Sequence, residues 1–147
     1  MKNGRYLIVC ADDSFMVREM LKDGFEGTDY VLELVSGVQN LEQRVLDDEA
    51  MLSQVDLFVF DFDMPEMTGT QIASILDESY EQLANVPFII FSGRPRQEVL
   101  TAIDEARSYS FTFARNFKGY IEKQEGSIDT LLAKIGEVFA SGPPSRR

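Results

Sequence analysis

The chain has 147 residues, 44% of them hydrophobic, and a net charge of −11, which suits one domain with a single core. Without a cluster of lysine and arginine, this acidity disfavours direct binding to nucleic acids and to anionic membranes. The acidity either serves solubility alone or is partly concentrated in one cation-binding cluster. The one cysteine, Cys10, excludes an intrachain disulfide, and the absence of histidine excludes Ser-His-Asp triads and histidine-rich metal sites. Since no apolar run is long enough for a signal peptide or a membrane span, we expect a cytoplasmic protein.

Short apolar runs recur along the chain and are predicted to be strands. The runs at 6–11, 55–60 and 86–91 are the clearest, 30–35 is weaker, and 118–122 is a candidate last strand. Apolar character that continues over five or six residues is typical of strands buried on both faces, as in a parallel sheet.

Amphipathic stretches between these runs are predicted to be helices. Ser14 is expected to cap a helix that ends near residue 22, and a second helix is expected over 70–83. Ser127 is expected to cap the last helix, whose apolar stripe should pack on the core: Ile128, Leu131, Leu132, Ile135, Val138 and Phe139.

We expect residues 1–140 to form one domain. Residues 141–147, which contain two prolines, should form a disordered tail or the start of a linker.

Strands that alternate with helices predict βαβ units with right-handed crossovers. Ligands of such sheets bind beyond the carboxyl ends of the strands. The polar residues that end the apolar runs should therefore meet at one rim of the sheet. These residues are Asp12, Asp13, Asp61, Asp63, Ser92, Gly93 and Lys123.

Several carboxylates at one rim point to a cation. Two carboxylates about 4 Å apart repel by about 4 kcal/mol at an effective dielectric of about 20, so Asp12, Asp13 and Asp61 need a cation or protonation. Carboxylates without nearby histidine or cysteine select a hard ion, and Mg²⁺ suits a site that also handles phosphate. A carboxylate can itself be the nucleophile in phosphoryl transfer. Ser92 offers a hydroxyl donor to the phosphoryl group, and Lys123 offers a positive charge.

The order and spacing of four motifs resemble those of bacterial two-component response regulator receiver domains. The motifs are Asp12, Asp13 and Ser14 followed by Arg18 and Leu21; the apolar run that ends in Asp61, followed by Met64, Pro65 and Gly69; the run that ends in Ser92 and Gly93; and Gly119, Tyr120 and Lys123. The resemblance covers roughly residues 5 to 140. It implies an α/β fold, a doubly wound (βα)5 flavodoxin-like three-layer sandwich whose five-stranded parallel sheet has the order 2-1-3-4-5.

The resemblance also implies a signalling domain, active only in its own phosphotransfer and dephosphorylation. Asp61 would accept phosphate from a histidine kinase or a phosphotransfer protein, and Lys123 would pair with the phosphoryl group. Asp13, Asp61 and the main-chain carbonyl of Asp63 would bind Mg²⁺, with assistance from Asp12.

Ser92 and Tyr120 would act as the switch residues of such a domain. Their movement would remodel the face built from the fourth helix, the last strand and the last helix. An unknown downstream protein would bind this face, and the resemblance leaves open a homodimer.

The sequence departs from the family pattern in three places. Gln124 stands where the family usually has a proline after the lysine, which puts the cis geometry of that peptide bond in doubt. The segment before Lys123 is longer than in the family, and the aromatic residues of 107–117 either fill the core or form a partner surface. Asp63 and Arg94 either form a gate across the pocket or an exposed ion pair without a role.

Two other functions fit parts of the sequence. In a haloacid-dehalogenase-type phosphatase, Asp61 would attack phosphorus and Asp63 would act as acid and base. The acidic pair precedes Asp61, however, and the chain has no room for a cap domain. A receiver-like adaptor that signals without phosphorylation is the stronger alternative, because Gln124 and the long segment 107–117 both depart from the family pattern.

Overall fold

The computed structural model describes residues 1–141, with only the backbone of Tyr109. Its centre is a parallel sheet of five strands in the order β2-β1-β3-β4-β5, which confirms the predicted fold class. The strands are β1 (Leu7–Ala11), β2 (Val31–Val35), β3 (Val55–Phe60), β4 (Phe88–Ser92) and β5 (Phe117–Glu122). Each lies within two residues of its predicted position.

Helices cover both faces of the sheet. They are α1 (Phe15–Phe25), α2 (Val38–Leu41), α3 (Glu49–Leu52), α4 (Gly69–Ser79), α5 (Arg96–Tyr109), α6 (Phe111–Asn116) and α7 (Ser127–Ala140). A π-helical turn, Glu42–Leu46, joins α2 to α3, and a 3₁₀ turn, Glu81–Leu83, follows α4. None of the helices in the described part of the chain combines the length and apolar character needed to cross a membrane.

Two hydrophobic cores lie on opposite faces of the sheet, because successive side chains of a strand point in opposite directions. Val9 of β1 packs in the core under α2 to α6, whereas its neighbour Cys10 packs in the core under α1 and α7. The Cys10 thiol is buried, and this burial raises its pKa, so Cys10 is a packing residue. The predicted stripe of the last helix packs on the same core as Cys10.

The helix ends agree only in part with the predictions. Ser14 caps α1, since its Oγ accepts a hydrogen bond from the backbone N–H of Val17 at 3.3 Å. The prediction that Ser127 caps the last helix is wrong: Gly126 occupies the capping position with a φ of 78°, and Ser127 is the first helical residue. Thr68 caps α4 through a capping box, and α4 ends earlier than predicted, at Ser79.

The long segment 107–117 forms the end of α5, the short helix α6 and the first residue of β5. Its aromatic residues divide between the two predicted roles. Phe113 is fully buried and packs against Phe88, with ring centroids 5.0 Å apart. Phe111 is 78% exposed. The segment therefore both fills the core and adds apolar surface.

Two other expectations concern the peptide bond after Lys123 and the tail of the chain. All peptide bonds in the described range are trans, including the bond from Lys123 to Gln124. The predicted tail begins at Ser141, which ends the described range, and its residues 142–147 lie outside it.

Candidate functional site

The acidic residues meet because β1 and β3 are neighbouring parallel strands. Ala11 and Phe60, the last residues of these strands, are paired in register, so the residues that follow them emerge side by side. The backbone N–H of Asp61 also donates to the carbonyl of Ala11 at 2.9 Å. As a result, carboxylate oxygens of Asp12, Asp13 and Asp61 all lie within 4.8 Å of one another.

Asp12 has the most polar contacts of the three aspartates, and it is only 2% exposed. Its Oδ1 accepts a hydrogen bond from the backbone N–H of Ser14 at 2.9 Å, and its Oδ2 lies 2.6 Å from the Lys123 ammonium. Arg18 donates to the Asp12 carbonyl at 2.8 Å. Asp13, by contrast, is exposed and has no hydrogen-bond or ion-pair partner in the described part of the chain.

Lys123 follows β5, and its ammonium lies 2.6 Å from Oδ2 of Asp12 and 3.2 Å from Oδ1 of Asp61. Burial and, to a smaller extent, the negative charge of Asp12 together raise the pKa of Asp61 to about 6, against the opposing effect of Lys123. Three carboxylates beside one ammonium leave an excess of negative charge that one divalent cation would balance. The donor set is made of oxygens alone, and it therefore fits Mg²⁺.

Oδ2 of Asp61 faces a different environment from Oδ1. Oδ1 accepts a hydrogen bond from the backbone N–H of Asp63 at 3.3 Å in addition to its contact with Lys123. No hydrogen bond is donated to Oδ2 within residues 1–141. Asp61 is thus anchored through one oxygen, which leaves the other available for chemistry.

Asp63 and Arg94 form an ion pair across the mouth of the site. The Nε of Arg94 donates to both carboxylate oxygens of Asp63, at 2.8 and 3.0 Å. Glu98 lies 3.5 Å from the same guanidinium, which is 5.7 Å from the ring centroid of Phe62. Both members of the pair are 43% exposed, so we expect it to contribute about 1 kcal/mol or less to stability.

The backbone of Arg94 contacts both predicted switch residues. Its N–H donates to Oγ of the fully buried Ser92 at 3.1 Å, and its carbonyl accepts a hydrogen bond from the Tyr120 hydroxyl at 3.4 Å. The backbone N–H of Lys123 donates to the carbonyl of Ser92 at 2.8 Å. Asp61, Asp63, Arg94 and Lys123 all line one open cleft of about 470 Å³, which can admit a phosphoryl group.

Sequence reasoning missed two features of this cleft. Gly69 lies so close to the end of β3 that a Cβ atom there would be 2.5 Å from the carbonyl oxygen of Asp61. Only the spacing of Gly69 from Asp61 hinted at this contact. Phe62 and Glu98 both support Arg94, and the four-residue separation of Arg94 and Glu98 is the one sequence signal for that support.

Comparisons with known proteins found one matching family model and several similar structures. The family model for the response regulator receiver domain matches residues 8–135. The chain is similar in structure to the signal receiver domain of an HD domain-containing protein from Pseudomonas fluorescens, with a TM-score of 0.71, 17% identity and coverage of 93% of this chain and 96% of that one. A CheY-like receiver domain protein from Methanospirillum hungatei gives a TM-score of 0.71 and 19% identity over 94% and 96% of the two chains.

A third similar structure is that of the response regulator TrrA from Thermotoga maritima, in complex with Mg²⁺-BeF. It gives a TM-score of 0.66 and 16% identity, over 90% of this chain and 98% of that chain. At these identities the similarity shows the shared fold. A comparison with curated proteins found no match.

Proposed function

Since this chain belongs to the family of response regulator receiver domains, we propose that Asp61 accepts a phosphoryl group from a histidine kinase or a phosphotransfer protein. The phosphorylated domain, residues 1–140, then switches a protein-interaction face. The observation that carries this proposal is the position of Asp61: its Oδ1 is 3.2 Å from Lys123, and its Oδ2 accepts no hydrogen bond from the described residues.

In the proposed reaction, Oδ2 of Asp61 attacks the phosphorus of a phosphohistidine on the donor. The new O–P bond forms as the P–N bond breaks, and the departing imidazole nitrogen keeps the electron pair and takes up a proton. Lys123 neutralises negative charge on the phosphoryl oxygens, and the hydroxyl of Ser92 donates a hydrogen bond to one of them.

We further propose that Asp12, Asp13 and Asp61, with the main-chain carbonyl of Asp63, hold Mg²⁺. When bound, Mg²⁺ supplies positive charge to the phosphoryl oxygens. The clustering of three carboxylates beside a single ammonium supports this assignment. The Mg²⁺-BeF complex of the similar Thermotoga protein also supports it.

Phosphorylation would act on the output face through Ser92 and Tyr120. If the Ser92 hydroxyl turns toward the phosphoryl group, it leaves the backbone N–H of Arg94, whose carbonyl holds the Tyr120 hydroxyl. Tyr120 then moves inward on β5. In this structure the affected face consists of α5, β5 and α7, and it is where we place an unknown downstream protein or a second copy of the chain.

Asp61→Asn should abolish phosphorylation. Wild-type protein incubated with Mg²⁺ and acetyl phosphate is expected to gain one phosphoryl group by intact mass spectrometry, whereas the variant gains none, because an amide cannot be the nucleophile. Chelation of Mg²⁺ by EDTA should prevent the gain in the wild type.

Asp104→Asn, which changes an exposed carboxylate of α5, is the matched control and should behave like the wild type. An unmodified wild type would favour the phosphorylation-independent adaptor, and equal modification of Asp61→Asn would assign the phosphate to another residue.

The phosphodonor protein should dock on exposed apolar side chains at the start of α1. Phe15 and Met16 are 67% and 72% exposed, Met20 is 47% exposed, and α1 begins two residues after Asp13. Large exposed apolar side chains beside a reactive site are typical of protein contacts. We expect Met16→Glu to slow phosphotransfer from a histidine kinase by about tenfold, a loss of about 1.4 kcal/mol.

To test the docking prediction, the rate of phosphotransfer is measured with the histidine kinase that, in a panel of such kinases, phosphorylates the wild type fastest. Acetyl phosphate, which needs no docking surface, should phosphorylate Met16→Glu at the wild-type rate. Ile75→Glu, a control at a 46% exposed apolar residue of α4, should leave kinase transfer unchanged. Equal slowing by both variants would show that α1 has no special part in docking.

The ion pair between Asp63 and Arg94 is proposed to act as a gate that limits access of water to the phosphoryl group. Arg94→Ala should shorten the lifetime of phosphorylated Asp61 by about fivefold, equivalent to about 1 kcal/mol of barrier. The measurement is the decay of the phosphorylated form after removal of the donor. Arg44→Ala breaks a similar bidentate pair with Glu33, remote from the cleft, and should not alter the decay. Equal lifetimes in Arg94→Ala and wild type would leave the pair without a role.

A further inference from the structure

A second cavity lies at the opposite end of the sheet from Asp61. It has a volume of about 880 Å³ and opens where β4 and β5 begin and α7 ends. Asn116 of α6 and Lys118 of β5 line one side of it, and Val138 of α7 lines the other. We call this cavity the basal groove. It depends on α6, the part of the chain that departs from the family pattern.

The basal groove is positively charged, although the whole chain has a net charge of −11. Three cationic residues, Arg115, Lys118 and Lys134, line it. Among the lining residues within 1–141, Glu137 is the one carboxylate, and its side chain is 72% exposed and 3.5 Å from Lys134. The groove therefore has an excess of positive charge, in contrast to the acidic cleft at Asp61.

The Arg115 side chain is held in position before any partner binds. Its NH2 donates to the carbonyl of Ala84 at 2.6 Å, and its guanidinium lies 5.8 Å from the ring centroid of Phe111. Asp77 of α4 also faces Arg115, but burial raises the pKa of this carboxyl to about 7. Asp77 therefore offsets the charge of Arg115 only in part at neutral pH.

The two lysines are also positioned by the backbone. The ammonium of Lys118 donates to the carbonyl of Arg115 at 3.2 Å. The stem of Lys134 crosses β5 at Gly119, where a Cβ atom would lie 2.8 Å from Cε of Lys134. Gly119 thus leaves room for the lysine stem. Cations that are already ordered lose less conformational entropy when an anion binds.

Part of the lining of the basal groove is apolar. Pro87, Val138 and Ala140 line it, and the exposed ring of Phe111 lies beside Arg115. An aromatic ring stacked with an arginine is a frequent anchor of protein interfaces. Long polyanions such as nucleic acids, and anionic membranes, would be repelled by the acidic surface around so small a basic patch.

We propose that the basal groove binds an acidic segment of a partner protein, with its carboxylates on Arg115, Lys118 and Lys134 and its apolar side chains against Pro87 and Val138. Charge complementarity is the basis of this assignment. The interaction does not require phosphorylation of Asp61, and it adds a second docking surface to the proposed output face.

The test uses a short fluorescein-labelled peptide of alternating Glu and Leu, with a peptide of alternating Gln and Leu as the uncharged probe. We expect the Glu-Leu peptide to raise fluorescence anisotropy on binding, and the Gln-Leu peptide to bind at least about tenfold more weakly. In ¹⁵N-labelled protein, the Glu-Leu peptide should shift backbone resonances of 115–118 and 134–138, and leave those of Asp13 and Asp61 unchanged.

Arg115→Gln, Lys118→Gln and Lys134→Gln in combination should weaken Glu-Leu binding about tenfold or more. Lys2→Gln, Lys22→Gln and Arg44→Gln form a control that removes the same charge elsewhere and should keep wild-type affinity. If the first combination melts at a lower temperature, Lys118→Gln and Lys134→Gln alone are measured.

Three results with the Glu-Leu peptide would overturn the proposal: equal affinity in the wild type and the basal-groove variants, equal loss in the control combination, or absence of binding to the wild type. The same resonance shifts with inorganic phosphate alone would indicate a small-anion site in its place. Repeating the titration with Asp61→Asn separates the two proposals, since peptide binding should persist in a chain that cannot be phosphorylated.

Discussion

Gly69→Ala is expected to destabilise the domain by about 1–3 kcal/mol, the usual cost of overpacking a filled site. The methyl group would lie 2.5 Å from the carbonyl oxygen of Asp61 and 3.2 Å from Cβ of Phe60. Both atoms belong to or adjoin β3, which is buried on both faces, so they cannot move away without shifting the strand. Because the carbonyl that must shift is that of Asp61, phosphorylation by acetyl phosphate should slow by about a hundredfold.

The stability change of Gly69→Ala is measured by urea unfolding, and the rate by mass spectrometry with Mg²⁺ and acetyl phosphate. Gly136→Ala is the matched control, since its new methyl group would find its nearest neighbour, the Tyr30 hydroxyl, at 3.9 Å. In the middle of α7 this change should stabilise the domain by up to about 1 kcal/mol. Wild-type stability and rate in Gly69→Ala would show that α4 does not position Asp61.

Phe113→Ala should have the larger effect on stability, a loss of about 3–5 kcal/mol. Phe113 is fully buried, 5.0 Å in an edge-to-face contact with Phe88, and stacked on Phe117 at 5.7 Å. Removal of its ring would leave a cavity between α6 and the sheet. Since small domains are stable by only about 5–15 kcal/mol, the variant should unfold at a clearly lower urea concentration and temperature.

Phe111→Ala provides the comparison for Phe113→Ala within the same helix. Its ring is 78% exposed, so the change in the free energy of unfolding should stay within about 0.5 kcal/mol. Similar small losses in both variants would mean that α6 is not anchored in the core. A large loss of stability in Phe113→Ala alone would confirm that Phe113 belongs to the core and Phe111 to the surface.

The three central strands, β1, β3 and β4, were predictable because each is almost continuously apolar, a pattern typical of strands buried on both faces. The region of α2, the π-helical turn and α3 was not predictable, since each piece is four or five residues long and too short for a helical period. Gly126 and Ser127 are both acceptable caps, and sequence cannot decide between adjacent caps. Ile75 is an apolar residue between the buried residues Ile72 and Leu76 of α4, yet its side chain is 46% exposed because it lies on the solvent side of the helix.

The gathering of acidic residues at one rim followed from the strand ends alone, because neighbouring parallel strands end at the same edge. The pairing of Arg94 with Asp63 was also predicted and is present, but the contacts of the Arg94 backbone with Ser92 and Tyr120 were not predicted. They depend on how far two loops lie apart, and the order of residues along a chain does not specify that distance. The closeness of Gly69 to the Asp61 carbonyl is likewise a property of the packed helix, visible in sequence only as a glycine.

Arg94 has a consequence for how such a domain can be tuned. Its side chain pairs with Asp63 over the cleft, and its backbone is bonded to Ser92 and Tyr120. In the proposed function, the Arg94 side chain would limit the decay of the phosphoryl group, whereas its backbone would take part in the switch. A substitution at position 94 replaces the side chain and keeps the backbone N–H and carbonyl. The duration of the response could therefore be changed at this position while the hydrogen bonds to Ser92 and Tyr120 are kept.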